Sequence, residues 1–121
     1  MTQILVVDDE VDIAEALRAV LEAEGYQVEI AVDGEQCLRL LREKQPDLLL
    51  LDVMMPVVDG FGVLEQMHKD QLQVPVVMMS AIRPDKRLAD YGVEDFLKKP
   101  FQLETLLETV AKALKSCKSS R

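Results

Sequence analysis

Histidine and cysteine are nearly missing from this chain, which removes several chemistries at once. His68 is the one histidine, and Cys37 and Cys117 are the two cysteines. They match no metal-ligand spacing, so a zinc site of clustered Cys and His is not available. The N-terminus lacks the charged segment and cleavage site of a secretory signal. The longest apolar stretches fall far short of the roughly 20 residues a membrane span needs. The expectation is a cytoplasmic protein with both thiols reduced and no membrane contact. An excess of positive charge is missing too: 14 basic residues face 22 acidic ones, for a net charge of −8. A general nucleic-acid surface would be basic, so direct nucleic-acid binding is not expected.

What is present is ordinary for a globular protein. Apolar residues make up 49% of 121 positions, enough for one core. No repeat or linker divides the chain, so 1–121 reads as a single domain whose polar end, about 116–121, should fray. Short apolar runs alternate with helical patterns. Strands are expected at 3–7, 27–32, 48–51, 76–79 and 94–97. Helices are expected at about 11–24, 35–44, 61–70, 84–91 and 102–116. The first helix turns Ile13, Ala14, Leu17, Val20 and Leu21 to one side, and the last does the same with Leu103, Leu106, Leu107, Val110 and Leu114.

Such alternation implies a parallel sheet with right-handed crossovers and helices on both faces, an α/β doubly wound fold. Strands 1, 3 and 4 are continuous apolar runs, as expected where both faces are covered. Strands 2 and 5 are more polar, as edge strands tend to be. The order 2-1-3-4-5, flavodoxin-like, puts both polar strands at the edges. Its chain reversal then falls between strands 1 and 3, where ligands bind in open sheets.

Polar residues stand at that carboxyl edge. Asp8 and Asp9 follow Ile4–Val7, Asp52 follows Leu48–Leu51, Ser80 follows Val76–Met79, and Lys99 follows Phe96-Leu97. A lone Asp after a strand is often only a helix cap, and a lone Ser there is often a turn residue. The set is different. Two carboxylates about 5 Å apart repel by roughly 3 kcal/mol at an effective dielectric near 20. Three need a compensating charge, and Mg²⁺ (or Mn²⁺) suits all-oxygen ligands with room for a phosphate. Pro100 biases Lys99 to extended backbone, from which its ammonium can reach over the acids. His68, on the third helix, reads as a surface residue, and the Met54-Met55 and Met78-Met79 pairs read as core filler.

The motifs ILVVDDE, LLLLDVMMPVVDG, VVMMSA and DFLKKPF run in this order over nearly the whole chain. They resemble those of the receiver domains of two-component response regulators, chemotaxis receivers included. The resemblance implies that Asp52 is the phosphoacceptor and that a histidine kinase or histidine phosphotransfer protein is the donor. It implies Mg²⁺ on Asp9, on Asp52 and on the backbone carbonyl of Met54, with Asp8 helping directly or through water. Ser80 and Lys99 match the groups that bind phosphoryl oxygens. Phe96, with Ser80, matches the switch pair, and Gly60 the loop glycine. Met54 and Ile82 match two variable positions that flank the hydrolytic water; both are bulky and apolar, which implies slow self-dephosphorylation. The output would be a switched protein-interaction surface rather than an enzyme activity.

One departure stands out. The interval from Ser80 to Lys99 is about one helical turn shorter than the family pattern. The fourth helix is therefore expected to be short, with weak amide protection. The alternative reading is a receiver-like module that binds proteins without being phosphorylated. A haloacid-dehalogenase-type hydrolase would want Asp-x-Asp where this chain has Asp8-Asp9-Glu10, and a flavodoxin would want a Ser/Thr/Gly-rich phosphate loop after the first strand.

Overall fold

The computed structural model describes residues 2–55, 58–81, 93 and 95–119, with side chains as far as Lys115. Five strands form one sheet: β1 (Gln3–Val7), β2 (Gln27–Ala31), β3 (Leu48–Asp52), β4 (Val76–Ser80) and β5 (Asp95–Lys98). Their order is β2-β1-β3-β4-β5, and every pairing is parallel. This is the flavodoxin-like order expected from strand polarity. Four helices lie among the described residues: α1 (Val11–Ala23), α2 (Gly34–Glu43), α3 (Gly60–Lys69) and α4 (Leu103–Ser119). The helix expected at about 84–91 lies outside the described residues, as does Ile82.

The run Ile4–Val7 and all of β3 and β4 are buried, and the period of two divides them between two cores. Leu5, Val7, Leu49, Leu51 and Met78 meet Cys37, Leu38 and Leu41 of α2 and Val63, Leu64 and Met67 of α3. Ile4, Val6, Leu48, Leu50, Val77 and Met79 meet Ala14, Leu17 and Leu21 of α1 and Leu106, Val110, Ala113 and Leu114 of α4. Met78 and Met79 are core residues and Met55 packs half-buried against the same core as Met78, whereas Met54 is 59% exposed, so the filler reading fails at Met54. β2 alternates exposed and half-buried positions as far as Ile30, and β5 is exposed at Asp95 and Lys98, as edges are. Burial pushes the Cys37 thiol up to about 12, with the charge of Asp33 adding to it, so it stays protonated. His68 is exposed, as expected.

Two helix expectations need correction. Leu103 belongs to the apolar stripe of α4 by spacing but is 57% exposed. It is the first residue of the helix, and the stripe is covered only where the sheet lies beneath it. The backbone of α4 also stays helical to Ser119, three residues beyond the expected end. No helix among the described residues is long and apolar enough to cross a membrane.

Candidate phosphoryl and metal site

Register brings the carboxyl ends of the strands together. Val7 pairs with Leu51, so Asp8 and Asp52 occupy the next step on adjacent strands. Ser80 pairs with Lys98, and the Lys99 amide donates to the Ser80 carbonyl at 2.8 Å. Asp52 and Ser80 are the last residues of β3 and β4 rather than the first residues beyond them. The Lys99–Pro100 peptide bond is cis.

Among the described residues, Asp8, Asp52 and Ser80 are the buried polar ones, and Asp9 is exposed. Asp8, Asp9 and Asp52 each offer a carboxylate oxygen, all within 4.8 Å of one another. Lys99 Nζ lies 2.7 Å from Asp8 Oδ2 and 3.6 Å from Asp52 Oδ2. The other oxygen of Asp8 accepts from the Glu10 amide at 2.9 Å, and that of Asp52 from the Met54 amide at 3.3 Å. Both buried carboxylates are thus oriented by one backbone donor and one shared ammonium.

One ammonium cannot neutralise three carboxylates. Burial holds Asp52 well above the ordinary carboxylate range, at about 6. Lys99 and the Met54 amide pull it down, while the charges of Asp8 and Asp9 push it up. Burial alone would lower the Lys99 ammonium, but the hydrogen bond to Asp8 and the charges of Asp52, Asp8 and Glu10 outweigh it, and the net shift is upward. The cluster therefore carries surplus negative charge in an oxygen-only donor set. That chemistry fits a hard divalent cation and not a thiolate- or imidazole-seeking one.

A family model described as the response regulator receiver domain matches residues 4–111. This chain belongs to that family. Among curated relatives, response regulator MprA of Mycobacterium ulcerans is 40% identical over 119 residues, covering 96% of this chain and 51% of its own length. The DNA-binding dual master transcriptional regulator RpaA of a Synechocystis species is 38% identical, covering 95% of this chain and 50% of its own length. The chain therefore spans about half the length of these relatives. Among solved structures, a CheY-like receiver domain protein of Methanospirillum hungatei superposes with a TM-score of 0.93 at 27% identity, covering 100% of this chain and 99% of that one. The receiver domain of a Francisella response regulator gives 0.88 at 29% identity, covering 97% and 99%.

Phe96 and Gly60, two further residues that the resemblance singled out, are among the described residues. Phe96 sits on β5, partly buried against the α2–α3 core. Gly60 is not in the loop: it is the first residue of α3, behind the cap Asp59, whose side chain accepts from the Gly62 amide at 2.8 Å. A β-carbon on Gly60 would lie 2.7 Å from the Asp52 carbonyl oxygen and 2.9 Å from Val53 Cα. The glycine lets α3 start directly behind Asp52. Two contributors were not singled out from the sequence. Glu10 adds its amide to Asp8 and its charge to the field on Lys99. Ala31, at the end of β2, accepts the Asp8 amide at 3.1 Å. Backbone donors and acceptors leave no residue-type signal, so only the fold reveals them.

Proposed function

We propose that this receiver domain accepts a phosphoryl group on Asp52 from a phosphohistidine of a histidine kinase or histidine phosphotransfer protein. The observation that carries the reading is the convergence of Asp8, Asp9 and Asp52 with one ammonium, Lys99, spanning the two buried acids. A carboxylate oxygen of Asp52 attacks phosphorus, the phosphorus–nitrogen bond breaks, and the imidazole departs with the bonding pair. The product is an acyl phosphate. Such transfer depends on placement and charge stabilisation more than on covalent help. The Met54 amide and Lys99 hold the Asp52 carboxylate in place beforehand.

Mg²⁺ (or Mn²⁺) would be held by Asp9, Asp52 and the Met54 carbonyl, with Asp8 direct or through water. The bound ion would supply positive field at the phosphoryl oxygens. Lys99 and Ser80 would bind those oxygens once the group is attached. Ser80 and Phe96 lie on neighbouring strands, where Met78 is the β4 partner of Phe96. A pull on Ser80 can therefore bias the aromatic side chain, a local two-state shift read by a protein partner. Val11, Met54 and Leu103 are exposed apolar residues in segments that follow β1, β3 and β5. They suit a protein donor rather than a small metabolite.

Metal dependence tests the cluster. Mg²⁺ at millimolar concentration should raise the melting temperature of the native protein, as any ligand of the folded state does. In Asp9→Ala that rise should vanish, although Asp9 is exposed and its loss should cost little stability without metal. A full Mg²⁺ response in the variant would remove Asp9 from the ligand set.

The lifetime of the acyl phosphate is a separate test. Met54 carries no group that can orient a hydrolytic water, and its exposed side chain stands two residues from Asp52. Decay of the phosphorylated protein, followed by intact mass, should be slow for a receiver and faster in Met54→Asn. Decay within seconds in the native protein would show that another group places the water.

A further inference from the structure

We propose that Gly34, on α2, positions the phosphoacceptor segment through Val58. Asp33 caps α2, accepting from the Gln36 amide at 2.8 Å, while the Gln36 side-chain oxygen accepts from the Val32 amide at 2.9 Å. The N-terminus of α2 is thereby held from both sides. Gly34, the first residue of that helix, is buried, and Val58 packs against it. A β-carbon at position 34 would fall 2.6 Å from the Val58 carbonyl oxygen and 2.7 Å from its Cβ. One at Gly62 would fall 2.9 Å from Val58 Cγ1. Val58 thus sits between two residues that have no side chains, one on α2 and one on α3.

Backbone conformation does not explain the glycine at 34. Among the described glycines, positive φ belongs to Gly25, at 95°, where an added β-carbon meets nothing within 4 Å. Intrinsic helix propensity favours alanine over glycine. What demands glycine at 34 is the approach of Val58, and that contact involves backbone, which cannot rotate away. Two residues on, the Gly60 amide donates to the Val53 carbonyl at 2.9 Å, and a β-carbon at Gly60 would fall 2.7 Å from the Asp52 carbonyl oxygen. A side chain at 34 must push Val58, and the push reaches Asp52 and Val53 through Asp59 and Gly60. α2 contributes none of the residues assigned to the metal or phosphoryl group, yet it sets where the acceptor stands.

The test compares Gly34→Ala with Gly25→Ala, which strains the backbone far from this contact and serves as a matched destabilised control. Amide resonances of the metal-free proteins give the first readout. Gly34→Ala should shift Val53, Met54 and Gly60, and Gly25→Ala should leave them in place. The Mg²⁺ dissociation constant gives the second and rests on the proposed receiver chemistry. It should weaken by on the order of tenfold in Gly34→Ala, because small misplacements of reacting or ligating groups are costly, and stay within about twofold in Gly25→Ala. If Gly34→Ala does not fold, Gly62→Ala presses on the same Val58 and should show the same two effects, with Val58→Ala in that background reversing them. Resonance shifts confined to α2 and Val58, or equal losses in both glycine variants, would overturn the inference. A native protein that ignores Mg²⁺ would overturn the metal reading instead, and the resonances would still decide this one.

Discussion

Asp52→Asn should take up no phosphoryl group from acetyl phosphate and Mg²⁺, whereas the native chain should gain one. Intact mass distinguishes the two directly. The expected effect is complete because the amide that replaces the carboxylate is no nucleophile for phosphorus, and no second acid among the described residues has the same setting. Asp8 is fully buried with one oxygen on the Glu10 amide and the other on Lys99. Asp9 is exposed, so burial does not fix where its carboxylate points. Asp52 alone combines a buried position, a backbone donor and a neighbouring ammonium that leaves 3.6 Å of separation. Robust labelling of the Asn variant would move the acceptor elsewhere and undo the proposed function.

The same substitution should stabilise the metal-free protein at neutral pH. Folded Asp52 titrates at about 6 against an ordinary 3.8, chiefly because burial disfavours its charge. Between those values the native state binds more protons than the unfolded chain, so stability falls as pH rises and the penalty is complete above about pH 7. At about 1.4 kcal/mol per pKa unit, the penalty is on the order of 2–3 kcal/mol. Denaturant unfolding without metal should therefore show Asp52→Asn ahead of the native protein by roughly that amount at pH 7.5, with the gap closing near pH 4. Mg²⁺ should reverse the order at pH 7.5, since the ion offsets the charge that burial penalises. Identical pH profiles for the two proteins would show that Asp52 is not held in an unfavourable charged state.

These expectations show what a receiver site costs the fold that holds it. The three acids gather because register and strand ends place them there, not because they attract one another. Lys99 offsets part of the repulsion, and in the proposed function a cation would offset the rest. In the proposed function that residual imbalance would make the site responsive, since each added charge would change the balance among Lys99, Ser80 and the acids by an amount comparable with a local conformational preference.

Much of this protein was determined by the order of residues alone. Continuous apolar runs mark β1, β3 and β4, and the mixed patterns of β2 and β5 mark edges, because a buried sheet demands apolar side chains on both faces and an edge does not. With right-handed crossovers those patterns define the strand order, and the strand order gathers Asp8, Asp52, Ser80 and Lys99. The tertiary structure decided what periodicity cannot express. Leu103 has the spacing of a core residue but opens its helix where nothing covers it. Lys99 lies nearer Asp8 than Asp52, a choice made by side-chain geometry across 91 positions of sequence. Gly34 and Gly60 look like ordinary helix-start glycines, and only the packed backbone shows that one faces Val58 and the other faces Asp52. The reason is common to all three: a sequence pattern records which face a residue takes within its own element, whereas distance to a residue on another element exists only after the elements have packed.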